Sequence, residues 1–374
     1  MRKVFNNSKL TNITSEYLLS SERNQSVLSR KASKKIVNFA GMKHYTIPIF
    51  VPELACPHRC IFCNQNKISS TLEIPEIGEC RKIIEEHLTT IPSDSFVEIG
   101  FFGGSFTGIP EREQRGYLKI AYEYKKAGKI KGIRLSTRPD YIDSEKLLLL
   151  KEYGVTTVEL GAQSMSEDVL KASGRGHDVA AVENAAKMVR EAGFFLGLQM
   201  MLGLPGDTKE KSLRTAKRIV ELGADNTRIY PTLVVKDTPL EKLWREKKYF
   251  PLSIEEAINW TKDIIPIFEK GDVNIIRVGL HPSEGFLSGE DLVDGPFHPS
   301  FKEFVLTEMW HDKLQNIIPE KDKKEIAIHV FPKEYNAAIG YRAKNRKMLL
   351  EKFSKVKFVA DKNIVKGDFY VDYC

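Results

Sequence analysis

The 374-residue sequence has no run of about 18 apolar residues that could span a bilayer. Its N-terminus, MRKVFNNSKLTNITSEYLL, is too polar to contain the apolar stretch of a secretory signal. These absences argue against a membrane partner and for a cytoplasmic location. Cysteine is scarce, and its five copies are an odd number for a disulfide scaffold. Three of the five, Cys56, Cys60 and Cys63, crowd into CPHRCIFC, which is the spacing of a metal-binding cluster rather than of paired disulfides. Nothing in the sequence speaks to oligomeric state. With 42% hydrophobic and 29% charged residues, the chain has enough apolar material for a large core and more than one module.

The net charge of +7 is concentrated at the ends. Residues 1–45 hold nine Lys or Arg against Glu16 and Glu22, and residues 325–374 hold ten basic against six acidic side chains, which leaves the middle of the chain at −4. Two basic ends suit a polyanionic partner, because phosphate contacts dominate nucleic-acid affinity. A solvated tail and a charged helix face would carry the same charge.

From residue 46 onward, short β-rich runs alternate with helical periods. TIPIFVPEL precedes a helix near 76–91, FVEIGFF precedes 110–127, and IKGIRLST precedes 143–153. VTTVELG then precedes 178–192, FFLGLQMML precedes 208–222, and NTRIYPTLVV precedes 253–269. Six βα units predict parallel strands with crossover helices, and the near-continuous apolar runs suit strands covered on both faces. VNIIRVGL, at 273–280, offers a seventh strand, and a doubly wound sheet is the competing geometry. One regularity favours a barrel: the cysteines, GGSF, TRPD, GAQS, GLPG and KDTPL each follow directly after a strand, where barrel chemistry sits.

Three thiolates leave structural zinc one ligand short unless His44, His58 or Cys80 joins them. On a four-iron cube the same three leave one iron open to a small chelating molecule. CPHRCIFC resembles the CxxxCxxC signature of the radical S-adenosylmethionine (SAM) enzymes, and FFGGSF stands where that family has its glycine motif. The resemblance implies a 4Fe-4S cluster on Cys56, Cys60 and Cys63, Phe62 against the adenine, and Gly103 and Gly104 against the methionine end of SAM. Ser105 stands where an acidic residue is common. GIRLSTRPDYID, VELGAQSMSEDVLKASGRGH, GFFLGLQMMLGLPGDT and YPTLVVKDTPLEKLW resemble the corresponding domain of the Elongator catalytic subunit, which modifies wobble uridine in tRNA. Gln163 and Arg175 are spaced like the SAM-contacting pair of the oxygen-independent coproporphyrinogen III oxidases. By the same resemblance Ser136 lies near the ribose and methionine end, and Gln199 or Met200 near the ribose. No R/Q-x-x-G-x-G/A loop is present to hold a coenzyme pyrophosphate, so the acetyl-CoA half of the Elongator reaction is expected to be absent from this sequence.

The expected architecture is α/β, a partial (β/α)6 TIM-like barrel of the radical SAM type with a small C-terminal α+β subdomain. Residues 1–45 read as a basic N-terminal extension, 46–272 as the barrel, 273–324 as a strand and loop extension closing it, and 325–374 as the small module. That module reads strand, helix, turn, helix, strand and resembles a KH-type RNA-binding module, with GYRA at the GxxG position; a subdomain that only packs on the barrel has the same pattern. Tyr341, Phe353 and Phe358 read as core, Cys80 as a buried helix residue, and His281 and His298 as loop residues without a nameable partner. The function expected is reductive cleavage of SAM to a 5′-deoxyadenosyl radical acting on RNA, with tRNA foremost and flavodoxin or ferredoxin as electron donor. The rivals are a small-molecule enzyme on a substrate such as a tetrapyrrole and a non-catalytic, cluster-containing RNA-binding protein.

Overall fold

A computed structural model describes residues 3–5, 43–51, 60–69, 75–320 and 323–374. Cys56 and nearly all of the basic N-terminal segment lie outside the described residues. In chain order the strands are β1 (Lys3–Phe5), β2 (His44–Val51), β3 (Phe96–Gly103), β4 (Gly132–Thr137), β5 (Thr157–Gln163) and β6 (Phe195–Leu202). They continue with β7 (Asn226–Pro231), β8 (Val234–Val235), β9 (Asn274–Val278), β10 (Leu292–Asp294), β11 (Glu325–Val330), β12 (Lys355–Ala360) and β13 (Phe369–Tyr373).

Seven strands form one parallel sheet in the order β2-β3-β4-β5-β6-β7-β9. Spatial order follows chain order without a reversal, which excludes the doubly wound alternative, since that fold reverses at a switch point. The sheet is a curled part-barrel. VNIIRVGL does supply the seventh strand, paired with β7, and β2 and β9 are the two edges of the sheet among the described residues.

The helices follow from local signals. Asp143 caps Ser144–Glu152 by accepting from the Lys146 N–H at 2.8 Å, and the chain leaves that helix through Gly154, whose φ of 65° glycine adopts without a Cβ clash. Ser253 and Glu256 form a reciprocal capping box at the start of Ile254–Lys270. One face of each strand is covered by helices, through Ile47, Ile49, Ile99, Leu135, Leu160 and Leu198, each at most 1% exposed.

The other face departs from the apolar expectation. Glu98, Arg134, Glu159 and Arg228 alternate with those apolar residues and point to the inside of the curl. They are buried as a linked ionic chain: Glu98 accepts from Arg134 Nε (2.6 Å), Arg134 Nη1 donates to Glu159 (2.5 Å), and Arg228 grips Glu159 through Nε (2.7 Å) and Nη2 (3.0 Å). Short apolar runs interrupted by a single charge are how a two-residue period looks when both faces are covered.

The chain divides into two compact units, one of His44–Glu308 and one of Met309–Cys374 together with the N-terminal residues. In the second unit the sheet order is β1-β13-β11-β12, with β11 and β12 parallel and β13 antiparallel to β11. Helices Tyr335–Ile339 and Lys344–Leu350 connect β11 to β12 through Gly340–Ala343, where Gly340, Arg342 and Ala343 all have positive φ. Phe353 and Phe358 belong to this unit's core with Trp310, Leu349 and Val371, while Tyr341 is half-buried. Among the described residues, no helix is long and apolar enough to cross a membrane.

Candidate active site

A cavity of about 620 Å³ opens at the C-terminal ends of the parallel strands. It is bounded by Phe50 on β2, Phe102 and Gly103 on β3, Ser136 on β4, Gln163 on β5 and Gln199 on β6, so five separate strands of the sequence converge there.

Cys60 and Cys63 lie on its wall. The Cys63 N–H donates to the Cys60 carbonyl (3.0 Å), closing a tight turn. The intervening Ile61 is tied at both ends: its N–H donates to Ser173 O (3.2 Å) and its carbonyl accepts from the Leu240 N–H (2.8 Å). Phe62 lines the cavity and also packs into a cluster with Val169, Leu204, Leu240 and Tyr249. Burial of its ring therefore anchors the cysteine loop to the barrel. Among the described residues no group of three metal-ligating side chains is assembled, and Cys56 lies outside them.

Opposite the thiols, Gly103 has φ 111°, a region that favours glycine. Its carbonyl accepts from Gln65 Nε2 (2.9 Å), and the Gly104 N–H donates to Val51 O (3.2 Å). The glycine pair is thus held from both sides with its backbone toward the cavity. Ser105 lines the same wall, is 2% exposed, and its carbonyl closes the following turn by accepting from the Gly108 N–H (2.9 Å).

Gln163 sits where the β5–β6 register shifts and has φ 65°. Its Oε1 is buried and finds no hydrogen-bond partner. A buried amide oxygen left unpaired costs about 1–3 kcal/mol, so its place on a cavity wall suits a bound donor. Gln199 Nε2 donates to Glu159 (2.9 Å) and to Ser136 Oγ (3.3 Å), which orients its amide oxygen away from both. Met200, the alternative to Gln199, is fully buried on the opposite strand face.

Arg175 is buried, and its donors are already directed: Nη1 to Cys60 Sγ (3.1 Å), Nη2 to Gly161 O (2.6 Å) and Nε to His177 Nε2 (3.2 Å). Arg138, not singled out in the sequence, supports it by donating from Nη2 to Arg175 O (2.6 Å) while its guanidinium forks onto Asp140 at 2.9 Å twice. Burial, and then the Arg175 charge, push His177 down to about 4, so it accepts from Arg175 as a neutral imidazole. His298, for which the sequence names no partner, accepts from the Ser300 N–H at Nδ1 (3.0 Å) and packs on Phe304.

The sequence reading also passed over Glu98, Arg134, Glu159, Arg228 and Arg277. Their signal was present: each is the one charged residue of its strand. Burial holds against the ionised form of Glu159, yet Arg228 and Arg134 bring its carboxyl down to about 2.

The chain as a whole has counterparts among known proteins. Residues 52–219 match the Radical SAM superfamily and residues 224–311 match the Radical_SAM C-terminal domain. An uncharacterised protein of Methanocaldococcus jannaschii is 30% identical over 236 residues, 60% of this chain and 71% of that protein. The tRNA uridine(34) acetyltransferase of Dehalococcoides mccartyi is 30% identical over 240 residues, covering 55% of this chain and 52% of the relative. Elongator complex protein 3 of Homo sapiens is 30% identical over 193 residues, 46% of this chain and 35% of the relative. The chain therefore spans about half of the acetyltransferase and about a third of the human protein. Among solved structures, Methanocaldococcus infernus Elp3 with an N-terminal deletion superposes with a TM-score of 0.60 at 22% identity, over 73% of this chain and 64% of that one, which is a likeness of fold.

Proposed function

The chain belongs to the radical SAM superfamily of enzymes, and from that membership we propose that it holds a 4Fe-4S cluster on Cys56, Cys60 and Cys63, binds SAM beside it, and modifies RNA, with tRNA as the substrate class. The observation that carries the reading is one cavity bounded by Cys60 and Cys63, by the backbone of Gly103 and Gly104, and by the unpaired Oε1 of Gln163. When bound, the cluster and SAM supply a 5′-deoxyadenosyl radical by reductive cleavage of the sulfonium C–S bond.

The residues divide the remaining work. Gly103 and Gly104 admit the methionine end of SAM because no Cβ stands in the way. Gln163 Oε1 accepts from it, Ser136 and Gln199 face its ribose, and Phe62 faces its adenine. Arg175 holds the Cys60 sulfur through Nη1. The RNA reading is supported by the name of the tRNA uridine(34) acetyltransferases among its relatives and by the basic charge of residues 1–45 and 325–374. In this reading residues 325–374 are a KH-like RNA contact, the protein is cytoplasmic, and a flavodoxin or ferredoxin delivers the electron.

Anaerobic reconstitution followed by an assay for 5′-deoxyadenosine with dithionite and SAM tests the chemistry, and absence of that product refutes it. Cys60→Ala should lose both the brown chromophore and the product while keeping native far-UV circular dichroism. Filter binding of bulk tRNA across a salt series tests the substrate class: a steep slope is expected, because each phosphate neutralised releases a counterion. Absence of tRNA binding at low salt removes the RNA reading.

A further inference from the structure

Four arginines and no carboxylate side chain line the cavity among the described residues: Arg138, Arg175, Arg228 and Arg277. Three are occupied. Arg138 forks onto Asp140, Arg228 forks onto Glu159, and Arg175 turns its donors to Cys60, Gly161 and His177. Arg277, half-buried on the edge strand β9, has no carboxylate partner among the described residues.

Its position makes the lack significant. Arg277 pairs in register with Arg228 across β7 and β9, and like charges placed opposite each other on a sheet destabilise it. Glu159 neutralises Arg228 but not Arg277, so the wall keeps one positive charge facing the cavity. Tyr230 and His281 line the same wall. Burial keeps the Tyr230 phenol protonated as an O–H donor, and burial together with Arg277 keeps His281 neutral. The wall lies on β7, β9 and the loop after β9, whereas the residues assigned above to SAM lie on the loop after β2 and on β3 to β6 with the turn after β3, so it is built from other strands.

We propose that Arg277, assisted by Tyr230 and His281, is a specificity subsite that grips an anionic group of the substrate, a phosphate of the target nucleotide. This rests on the reading of RNA as substrate. A guanidinium fork matches phosphate geometry and holds it by charge-assisted hydrogen bonds, and the aromatic rings of Phe50 and Phe102, which line the same cavity, suit the attached base.

The test uses the full chain, anaerobically reconstituted with cluster and SAM, and equilibrium dialysis of labelled uridine and uridine 5′-monophosphate. The monophosphate should bind at least about tenfold more tightly than uridine, the scale of one charge-assisted contact. Arg277→Gln should bring it down to the level of uridine, Arg277→Lys should fall between, and SAM binding should be unchanged in both. Measurable but equal binding of the two ligands by the native chain, or an undiminished preference in Arg277→Gln, overturns the proposal. A second arm follows phenylglyoxal modification of Arg277 by peptide mass spectrometry. If neither nucleoside ligand binds but inorganic phosphate still protects Arg277, the anion subsite stands and the RNA reading fails; if phosphate and the monophosphate both leave Arg277 unprotected, the subsite fails whatever the substrate.

Discussion

Glu159 should be the most costly single side chain to remove from the inside of the barrel. It is 0% exposed and accepts four hydrogen bonds, one from Arg134, two from Arg228 and one from Gln199. Glu159→Met leaves Arg134 with Glu98 but strands Arg228, whose side chain is 12% exposed, without a carboxylate. Breaking a buried pair from one side costs about 3–5 kcal/mol, a large part of the 5–15 kcal/mol that usually holds a domain together. At roughly 2–4 °C per kcal/mol for a unit of this size, the melting temperature should fall by about 6–20 °C. Arg228→Met alone leaves Glu159 paired with Arg134 and Gln199, and should cost only about 1–3 kcal/mol. The double variant removes the outer pair as a unit and keeps Glu98 with Arg134, so it should cost about 0–2 kcal/mol, because apolar side chains replace buried ion pairs at little loss. The assay is urea unfolding of the wild type, both single variants and the double variant under argon. A coupling of about 2 kcal/mol or more is expected; single-variant effects that add to within about 0.5 kcal/mol would refute the account of a linked ionic chain.

Gly103→Ala places a Cβ at φ 111°, and both the strain of about 1–3 kcal/mol and the lost backbone approach should weaken SAM binding tenfold or more in equilibrium dialysis, with cluster absorbance kept. Arg175→Gln removes the Nη1 donor to Cys60 Sγ, and since hydrogen bonds to cluster sulfurs raise the reduction potential, its midpoint in an EPR-monitored redox titration should move lower, with partial recovery in Arg175→Lys. His177 has a folded-state value of about 4, below the ordinary 6.5, so the unfolded chain takes up the proton first. Its contribution to stability is therefore complete above pH 6.5 and declines as pH falls toward 4; His177→Gln should flatten the urea midpoint across that window, and an unchanged slope would count against it. Glu159 acts in a separate, more acidic window: its depressed carboxyl contributes above its ordinary value of 4.5, and that contribution is lost as pH falls toward about 2.

The parallel architecture was legible because each βα unit announces itself locally. Asp143 starts and Gly154 ends the helix before β5, and the apolar runs of β3 and β6 are bounded by turn residues within a few positions. The cysteine loop and the glycine pair were legible for the same reason: Cys60, Cys63, Gly103 and Gly104 are chemically unusual residues in short, fixed spacings. Arg138 was not, since its partners Asp140 and the carbonyl of Arg175 give a single arginine in TRPD no distinguishing signal. His298 was likewise invisible, because an imidazole capping Ser300 and packed on Phe304 looks in sequence like any loop histidine.

By itself, then, the sequence determined the order of strands and helices, the thiols at the end of the first barrel strand, and the glycine pair at the end of the next, all of which depend on residues near one another in the chain. Only the tertiary structure decided which charges meet. Glu98, Arg134 and Glu159 come from the consecutive strands β3, β4 and β5, and Arg228 reaches Glu159 from β7 across β6, so their linkage depends on the parallel register of five strands. The same register places Arg277 opposite Arg228 with Glu159 already taken, because electrostatic partnership is a matter of a few ångströms in space across any number of residues in sequence.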